Sequence, residues 1–150
     1  MRKYMQRALL LTIIGILGIG SSAHAGGSFT VEANNPGGFR FYNPSDSNTT
    51  YKCDFFSIGR WTYNPNVGYH GANGHPRYQR ADSGYRLAGV PEGSLIVRFN
   101  GKDYFYVGNG NDFYLSPGDS LRFMINDSSG GGSFSDNRGQ IKVEWDCEKY

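Results

Sequence analysis

The sequence predicts an all-β fold, a small antiparallel β-sandwich of jelly-roll type. Three observations lead to this class: glycine and aromatic residues are abundant, apolar and polar residues alternate in short runs, and Gly, Pro, Asn or Asp bound those runs. Alternation is typical of half-buried strands, whereas helical periodicity is rare in this chain. Six to eight such strands in one domain favour two packed antiparallel sheets.

The last segment of the chain is the clearest strand. Over residues 140–148, Ile141, Val143, Trp145 and Cys147 alternate with charged residues. Because successive side chains of a strand point to opposite faces, one face here is apolar and the other is charged. The pattern predicts a strand that lies against the core on one side and contacts water on the other.

Three earlier segments alternate in the same way, namely residues 50–58, 94–100 and 120–126. Asn100-Gly101 separates the second of these from residues 103–107, and this dipeptide favours a tight turn between antiparallel strands. We therefore expect residues 94–107 to contain a β-hairpin. Residues 64–88 show no clean period, and a loop of that length in a compact domain is usually functional or disordered.

The two cysteines, Cys53 and Cys147, are predicted to form one disulfide bond. Each shares its strand parity with apolar residues, so both are expected to face the core. In an exported chain, an oxidising compartment favours a bridge over thiols. The alternative is two buried free thiols. A bridge would connect an early strand to the last one.

The first 25 residues have the pattern of a signal peptide. Arg2, Lys3 and Arg7 precede an apolar run over residues 8–19, and small residues that end in an A-x-A cleavage signature follow. The apolar run is short for a membrane span, and no later segment is apolar enough to stop transfer. We therefore predict a signal peptide over residues 1–25, one domain over residues 26–150, and export to the periplasm or secretion.

The net positive charge of the chain belongs to this leader. Without it, 12 basic side chains stand against 13 acidic ones. A nucleic acid or an anionic membrane surface would need a clustered basic face. The composition therefore predicts neither a nucleic-acid partner nor membrane insertion.

Oxygen-bearing side chains flank a glycine-rich loop near the end of the chain. Asp127 follows one predicted strand, glycines occupy residues 130–132, and Asp136 and Asn137 precede the next strand. Carboxylate, amide and carbonyl oxygens suit Ca²⁺, whereas zinc is a poor fit because only two histidines follow residue 25. The alternative is a permissive hairpin loop whose acids serve solubility.

Several short motifs follow one another in an order that is similar to that of a known family. They are Ala33-Asn34-Asn35, Tyr42-Asn43-Pro44, GRWTYNP at residues 59–65, Gly74-His75-Pro76, and IND followed by SFSDNRG within residues 125–139. With residues 93–108 and 118–127, they resemble the calcium-dependent galactophilic lectins of bacteria, of the PA-I type. The likeness covers most of residues 26–150. It implies a jelly-roll β-sandwich that binds a glycan through one calcium ion.

The resemblance also implies a set of calcium ligands. Asp127 matches the family's aspartate, and Asp136 and Asn137 match its pair of consecutive asparagines. Tyr63 and Ser133 match positions that supply backbone carbonyls. About five protein oxygens leave about two positions in the shell of Ca²⁺ for vicinal hydroxyls of a sugar. Asp136 stands where the family has asparagine, and its charge should favour the cation.

The implied sugar is galactose or a related sugar. His75 matches a histidine that hydrogen-bonds the exocyclic hydroxyl of galactose, beside Pro76. The family's glutamine three residues later is replaced by Tyr78, with Gln79 next to it. The implied sugar-binding residues are therefore His75, Pro76, Tyr78, Gln79, Asp127 and Asn137. The family analogy also suggests a homo-oligomer, whose interface the sequence does not reveal.

Two other classes of function compete with a lectin. One is a disulfide-locked structural or adhesive module, in which the loop binds calcium for stability or binds nothing. The other is a glycan hydrolase, and no nucleophile motif supports it. Asp127 and Asp136 occupy a polar, glycine-rich loop, where acids are more often ligands than a tuned acid and base. We therefore predict that the protein is not an enzyme.

Overall fold

The computed structural model describes residues 24–45, 48–77, 79–130 and 133–150. Within these residues the chain forms eight strands: β1 His24–Glu32, β2 Phe39–Tyr42, β3 Tyr51–Thr62, β4 Leu95–Phe99, β5 Tyr104–Tyr106, β6 Gly110–Leu115, β7 Ser120–Ile125 and β8 Arg138–Lys149. In these same ranges, no helix has the length and apolar character needed to cross a membrane.

The strands form two four-stranded sheets with the orders β1-β8-β3-β6 and β2-β7-β4-β5. Every pairing is antiparallel, and sequential strands repeatedly change sheet. Eight strands divided in this way between two facing sheets form a jelly roll. The predicted fold class is therefore confirmed.

The core lies between the sheets because each strand presents its apolar side inward. Leu121, Phe123 and Ile125 of β7 are fully buried. Phe55 of β3 contacts Phe123 across the sandwich, with ring centroids 4.9 Å apart, and packs edge-on against Phe41 of β2 at 5.1 Å. These contacts join the two sheets and fix how their ends align.

The four strands predicted from alternation and the one predicted from the turn signal are present, and residues 94–107 form the expected hairpin. Three strands were not predicted. β2 is only four residues long, too short for a period to show, and β6 begins with the turn-forming residues Gly-Asn-Asp. β1 includes His24 and Ala25, which precede the predicted cleavage position, and the rest of the predicted signal peptide lies outside the described residues.

The predicted disulfide bond between Cys53 and Cys147 is confirmed. The two residues are directly opposite in the pairing of β3 with β8, with an S–S distance of 2.03 Å, and both are fully buried. Alternation placed each sulfur on the core face, and the register of the two strands brings the sulfurs together.

The long segment between β3 and β4 contains no named strand, but it is packed against the domain. Isolated bridges pair Trp61 with His70 and Tyr85 with Ser128. The buried Asn126 side chain accepts from the Leu87 amide at 3.0 Å and donates to the Leu87 carbonyl at 2.9 Å. The segment therefore covers one end of the sandwich, where β7 ends.

Candidate functional site

The end of the sandwich at which β3 and β7 finish and β8 begins carries an open cleft of about 510 Å³. Because β8 runs antiparallel to β3, the residue after β3 lies near the residues that precede β8. The cleft is lined by Tyr63, Asn64, Tyr85, Asp127, Ser128, Gly130, Ser133, Ser135 and Asp136. The fold thus collects four of the five predicted metal ligands in one lining.

Asp127 is the most buried acid of the cleft, with 4% of its surface exposed. Its Oδ1 accepts a hydrogen bond from the Ser128 amide at 2.6 Å, whereas the buried Oδ2 has no hydrogen-bond partner among the residues that the structure describes. Burial raises the pKa of the carboxyl, and Asp136 raises it further, while Ser128, Asn137 and Arg86 lower it. The ionised carboxylate is therefore held in surroundings that compensate its charge incompletely.

Asn137, the fifth predicted ligand, is fully buried beside this carboxylate. Its Nδ2 donates to the Ala33 carbonyl at 3.0 Å, which orients the amide, and its buried Oδ1 has no hydrogen-bond partner in the described part of the chain. A buried polar atom without a partner normally costs stability. Asp127 and Asn137 thus each contribute one oxygen of this kind.

The residues of the cleft fit a hard cation. Two neighbouring buried oxygens lack partners within the described ranges, and Asp136 is an exposed carboxylate that lines the cleft with Asp127. Within the residues that the structure describes, no three His, Cys, Asp or Glu side chains cluster closely enough to hold a metal by themselves. A cation here would need amide and carbonyl oxygens as well, which is the donor set that Ca²⁺ accepts and zinc does not.

A buried carboxylate that the sequence did not single out lies behind the cleft. Glu92, with 6% of its surface exposed, accepts from the Tyr63 hydroxyl at 2.6 Å and from Gln79 Nε2 at 3.3 Å. Burial, followed by Glu92, raises the pKa of Tyr63, and the same two causes raise that of Tyr85. Both phenols therefore stay protonated. Each hydroxyl donates a hydrogen bond to the Glu92 carboxylate, and this contact orients the Tyr63 side chain.

The residues that flank Glu92 in the sequence indicate a tightly packed backbone. Pro91 and Gly93 flank the acid just before β4. Gly93 has a φ of 67°, and a Cβ there would lie 2.7 Å from Nε2 of His70 as well as against the Tyr63 ring. A glycine is needed because two rings pack directly on this backbone.

The structure separates the predicted sugar-binding residues. His75 and Pro76 line a second depression of about 310 Å³, whereas Asp127 lines the cleft. The His75 ring lies 6.3 Å from the Tyr63 ring, and its Nδ1 accepts from the Arg77 amide at 3.0 Å. Gln79 bonds to Glu92 and lines neither depression, and Tyr78 lies outside the described residues.

A second histidine in this region is buried and neutral. His70 lies 5.6 Å from the Tyr63 ring, and its Nδ1–H donates to the Gly71 carbonyl at 3.1 Å. Its buried Nε2 therefore carries a lone pair that has no hydrogen-bond partner in the ranges that the structure describes. Burial lowers the pKa of His70, and the neighbouring His75 and Arg60 lower it as well.

We expect a His70→Asn variant to lose less stability in acid than the wild type. The pKa of His70 in the folded state is below the ordinary 6.5, so the unfolded chain binds this proton more readily. The penalty is absent well above that value and grows as the pH falls from about 6.5 towards the folded pKa. Urea midpoints measured between about pH 7 and pH 5 test this, and equal slopes for both proteins would contradict it.

Comparisons with known proteins bear on the fold. No protein-family profile matches the sequence, and no curated protein matches it. One similar solved structure is described as the N-terminal domain of EclA, a PllA-like lectin. It has 19% sequence identity and a TM-score of 0.52, and the match covers 82% of this chain and 95% of that chain. The present chain therefore shares the β-sandwich fold of that domain.

Proposed function

We propose that this protein is an exported, non-enzymatic lectin that binds a glycan through a calcium ion held in the cleft. The observation that carries the proposal is a pair of buried oxygens without partners among the described residues, namely Oδ2 of Asp127, which lines an open polar cleft, and Oδ1 of Asn137 beside it. The likeness of the fold to a PllA-like lectin domain supports the glycan part of the proposal.

In this proposal the ion is held by residues from three parts of the chain. Asp127 and Asp136 supply carboxylate oxygens, Asn137 supplies its amide oxygen, and Tyr63 and Ser133 supply backbone carbonyls. Bound calcium would offer its open coordination positions to two neighbouring hydroxyls of a sugar. The carboxylates would accept hydrogen bonds from the same hydroxyls, and bonds to charged acceptors are stronger than neutral ones.

The sugar in this proposal is galactose or a related one, as the resemblance of the motifs implies. A single shallow site binds weakly, so a homo-oligomer presenting several sites would raise the apparent affinity for a multivalent glycan. The open form of the cleft suits a terminal sugar, because no deep pocket is required.

The alternative function is a structural or adhesive module in which the disulfide and the cleft serve stability. The buried Cys53–Cys147 bond favours it, since such a bond stabilises an exported domain whatever the domain binds. Under this alternative calcium still raises the melting temperature, but no glycan is retained.

A glycan-binding screen in calcium, repeated with a chelator, separates the two functions. The lectin proposal expects glycans with terminal galactose or a related sugar to be retained only in calcium. Retention in neither condition, together with a calcium-dependent rise in melting temperature, supports the structural module. Equal retention in both conditions would contradict the role of the ion.

A His75→Ala variant is expected to bind the retained glycan about fivefold more weakly, the loss of roughly one hydrogen bond, while its calcium titration stays unchanged. His75 lies outside the lining of the cleft but one ring away from it, beside Tyr63. Isothermal titration with calcium and then with the glycan measures both quantities. Equal loss of both would mean that His75 supports the cation site instead.

A further inference from the structure

A third depression, of about 440 Å³, lies on the outer face of the β2-β7-β4-β5 sheet and is lined by four arginines. Arg40, Arg122 and Arg98 belong to neighbouring strands and are directly opposite one another in the register. Arg86 reaches the same depression from the long segment that precedes β4. We call this depression the arginine groove.

The arrangement of these side chains is costly without a partner. Like charges directly opposite on neighbouring strands destabilise a sheet, and Arg122 has an arginine on each side. In the described part of the chain, none of the four arginines forms a salt bridge. Strand spacing of about 5 Å places the backbones of these three arginines within roughly 10 Å of sheet.

Backbone carbonyls hold these guanidinium groups in place. Arg122 Nη1 donates to the Gly37 carbonyl at 3.0 Å, and Arg98 Nε donates to the Lys102 carbonyl at 3.3 Å. Arg86 Nη1 donates to the Pro36 carbonyl at 3.0 Å. A guanidinium has five N–H donors, so each group keeps donors for a ligand.

Arg86 is the link between the arginine groove and the cleft. Its guanidinium lies over the Phe134 ring, 4.4 Å from the centroid, and its pKa is lowered by burial and by Arg98 and Arg122. A fourth depression, lined by Arg86 and Phe134, shares Ser129 with the arginine groove and Gly130 with the cleft. A continuous surface therefore runs from the acidic cleft to the arginines.

We propose that the arginine groove binds an oxyanion group, a sulfate or carboxylate, of an acidic glycan whose neighbouring sugar occupies the cleft. The forked donors of arginine match such planar or tetrahedral oxyanions in two-bond geometry. The choice of a glycan over another polyanion rests on the proposed function, because the groove continues into the cleft. Arg40, Arg98 and Arg122 then acquire the negative charge that the described protein residues do not supply.

The test uses the whole protein and a sulfated heparin-derived oligosaccharide, with its desulfated and carboxyl-reduced form as the neutral control. Titrations are run in chelator, so that the result does not depend on the calcium site. We expect the sulfated probe to bind, with an affinity that falls as salt rises, and the neutral control not to bind. Failure of the proposed calcium site would leave this binding in place, whereas failure of the arginine groove would remove it.

An Arg122→Gln variant is expected to bind the sulfated probe about tenfold more weakly, because it loses one charge-assisted contact. Lys142→Gln is the matched control, since it removes one positive charge from an exposed position on β8 of the opposite sheet. Arg98→Gln provides a second variant if Arg122→Gln folds poorly. Thermal unfolding of each variant establishes that the fold is intact.

Three results would overturn the proposal. The first is absence of binding to the sulfated probe at low salt. The second is an equal loss of affinity in Arg122→Gln and Lys142→Gln, which would mean diffuse charge attraction. The third is tighter binding of a single-stranded oligonucleotide of the same charge, weakened by Arg122→Gln, which would make the groove a nucleic-acid site.

Discussion

Replacing Asp127 by asparagine is expected to abolish the stabilisation of the fold by calcium. Asparagine keeps the shape and the acceptor for the Ser128 amide, but it removes the charge that a divalent cation requires. At a calcium concentration of about 100 times Kd, the wild type should gain about 2.7 kcal/mol, a shift of several degrees in melting temperature. The variant should show no shift.

Without calcium, we expect the same variant to lose no stability. Burial raises the pKa of Asp127, and Asp136 adds repulsion, so the ionised carboxylate destabilises the fold at neutral pH. The Asp127→Asn variant should therefore be at least as stable as the wild type in chelator. A variant that is simply misfolded would be less stable in both conditions.

Asp112→Asn is the matched control for this experiment. Asp112 lies on β6, is exposed and does not line the cleft. Its replacement by asparagine therefore removes one negative charge, as Asp127→Asn does, but leaves the cleft unchanged. Differential scanning calorimetry with calcium and with chelator measures all three proteins. An unchanged calcium shift in Asp127→Asn would exclude Asp127 as a ligand.

Loss of the disulfide bond is expected to have the second large effect. The bond closes a loop of 94 residues between Cys53 and Cys147. In the chain-entropy description, such a loop contributes about 4 kcal/mol by restricting the unfolded chain. The Cys53→Ala, Cys147→Ala double variant should therefore unfold at a markedly lower denaturant concentration, with a melting temperature roughly 15 °C lower.

Reduced wild-type protein is the control, because it keeps the volume of both buried sulfurs. If it matches the double variant, the effect belongs to the bond, whereas a large remaining difference would show that the alanines leave cavities. Cys53 and Thr62 lie near opposite ends of β3, roughly 30 Å apart, and the cleft adjoins Thr62. The double variant should therefore keep its calcium shift, and losing it would contradict the separation of the two features.

The candidate site was predictable in part. Motif resemblance pointed to Asp127, Asp136, Asn137, Tyr63 and Ser133, and the structure brings these residues to one end of the sandwich. Their role as ligands stays a prediction. Nothing in the local sequence indicated that Oδ2 of Asp127 and Oδ1 of Asn137 would both be buried without partners, since this depends on loops that are distant in sequence.

Glu92 shows the limit of local reasoning more clearly. Its partners Tyr63, Gln79 and Tyr85 lie up to 29 residues away, and only the packing of the long segment brings them together. His75 illustrates a second limit, which is that the order of motifs does not report their positions in space. Motif order associated it with the calcium ligands, whereas the folded chain places it in a neighbouring depression behind the Tyr63 ring.

The sequence by itself determined the all-β class, five of the strands and the core orientation of Cys53 and Cys147, because alternation reports which face of a strand is buried. Alternation does not report which strands are neighbours. Arg40, Arg98 and Arg122 are scattered in a chain whose charges nearly balance after residue 25. Only the order and register of β2, β7 and β4 set them in one row, because strand pairing is decided by contacts between distant segments.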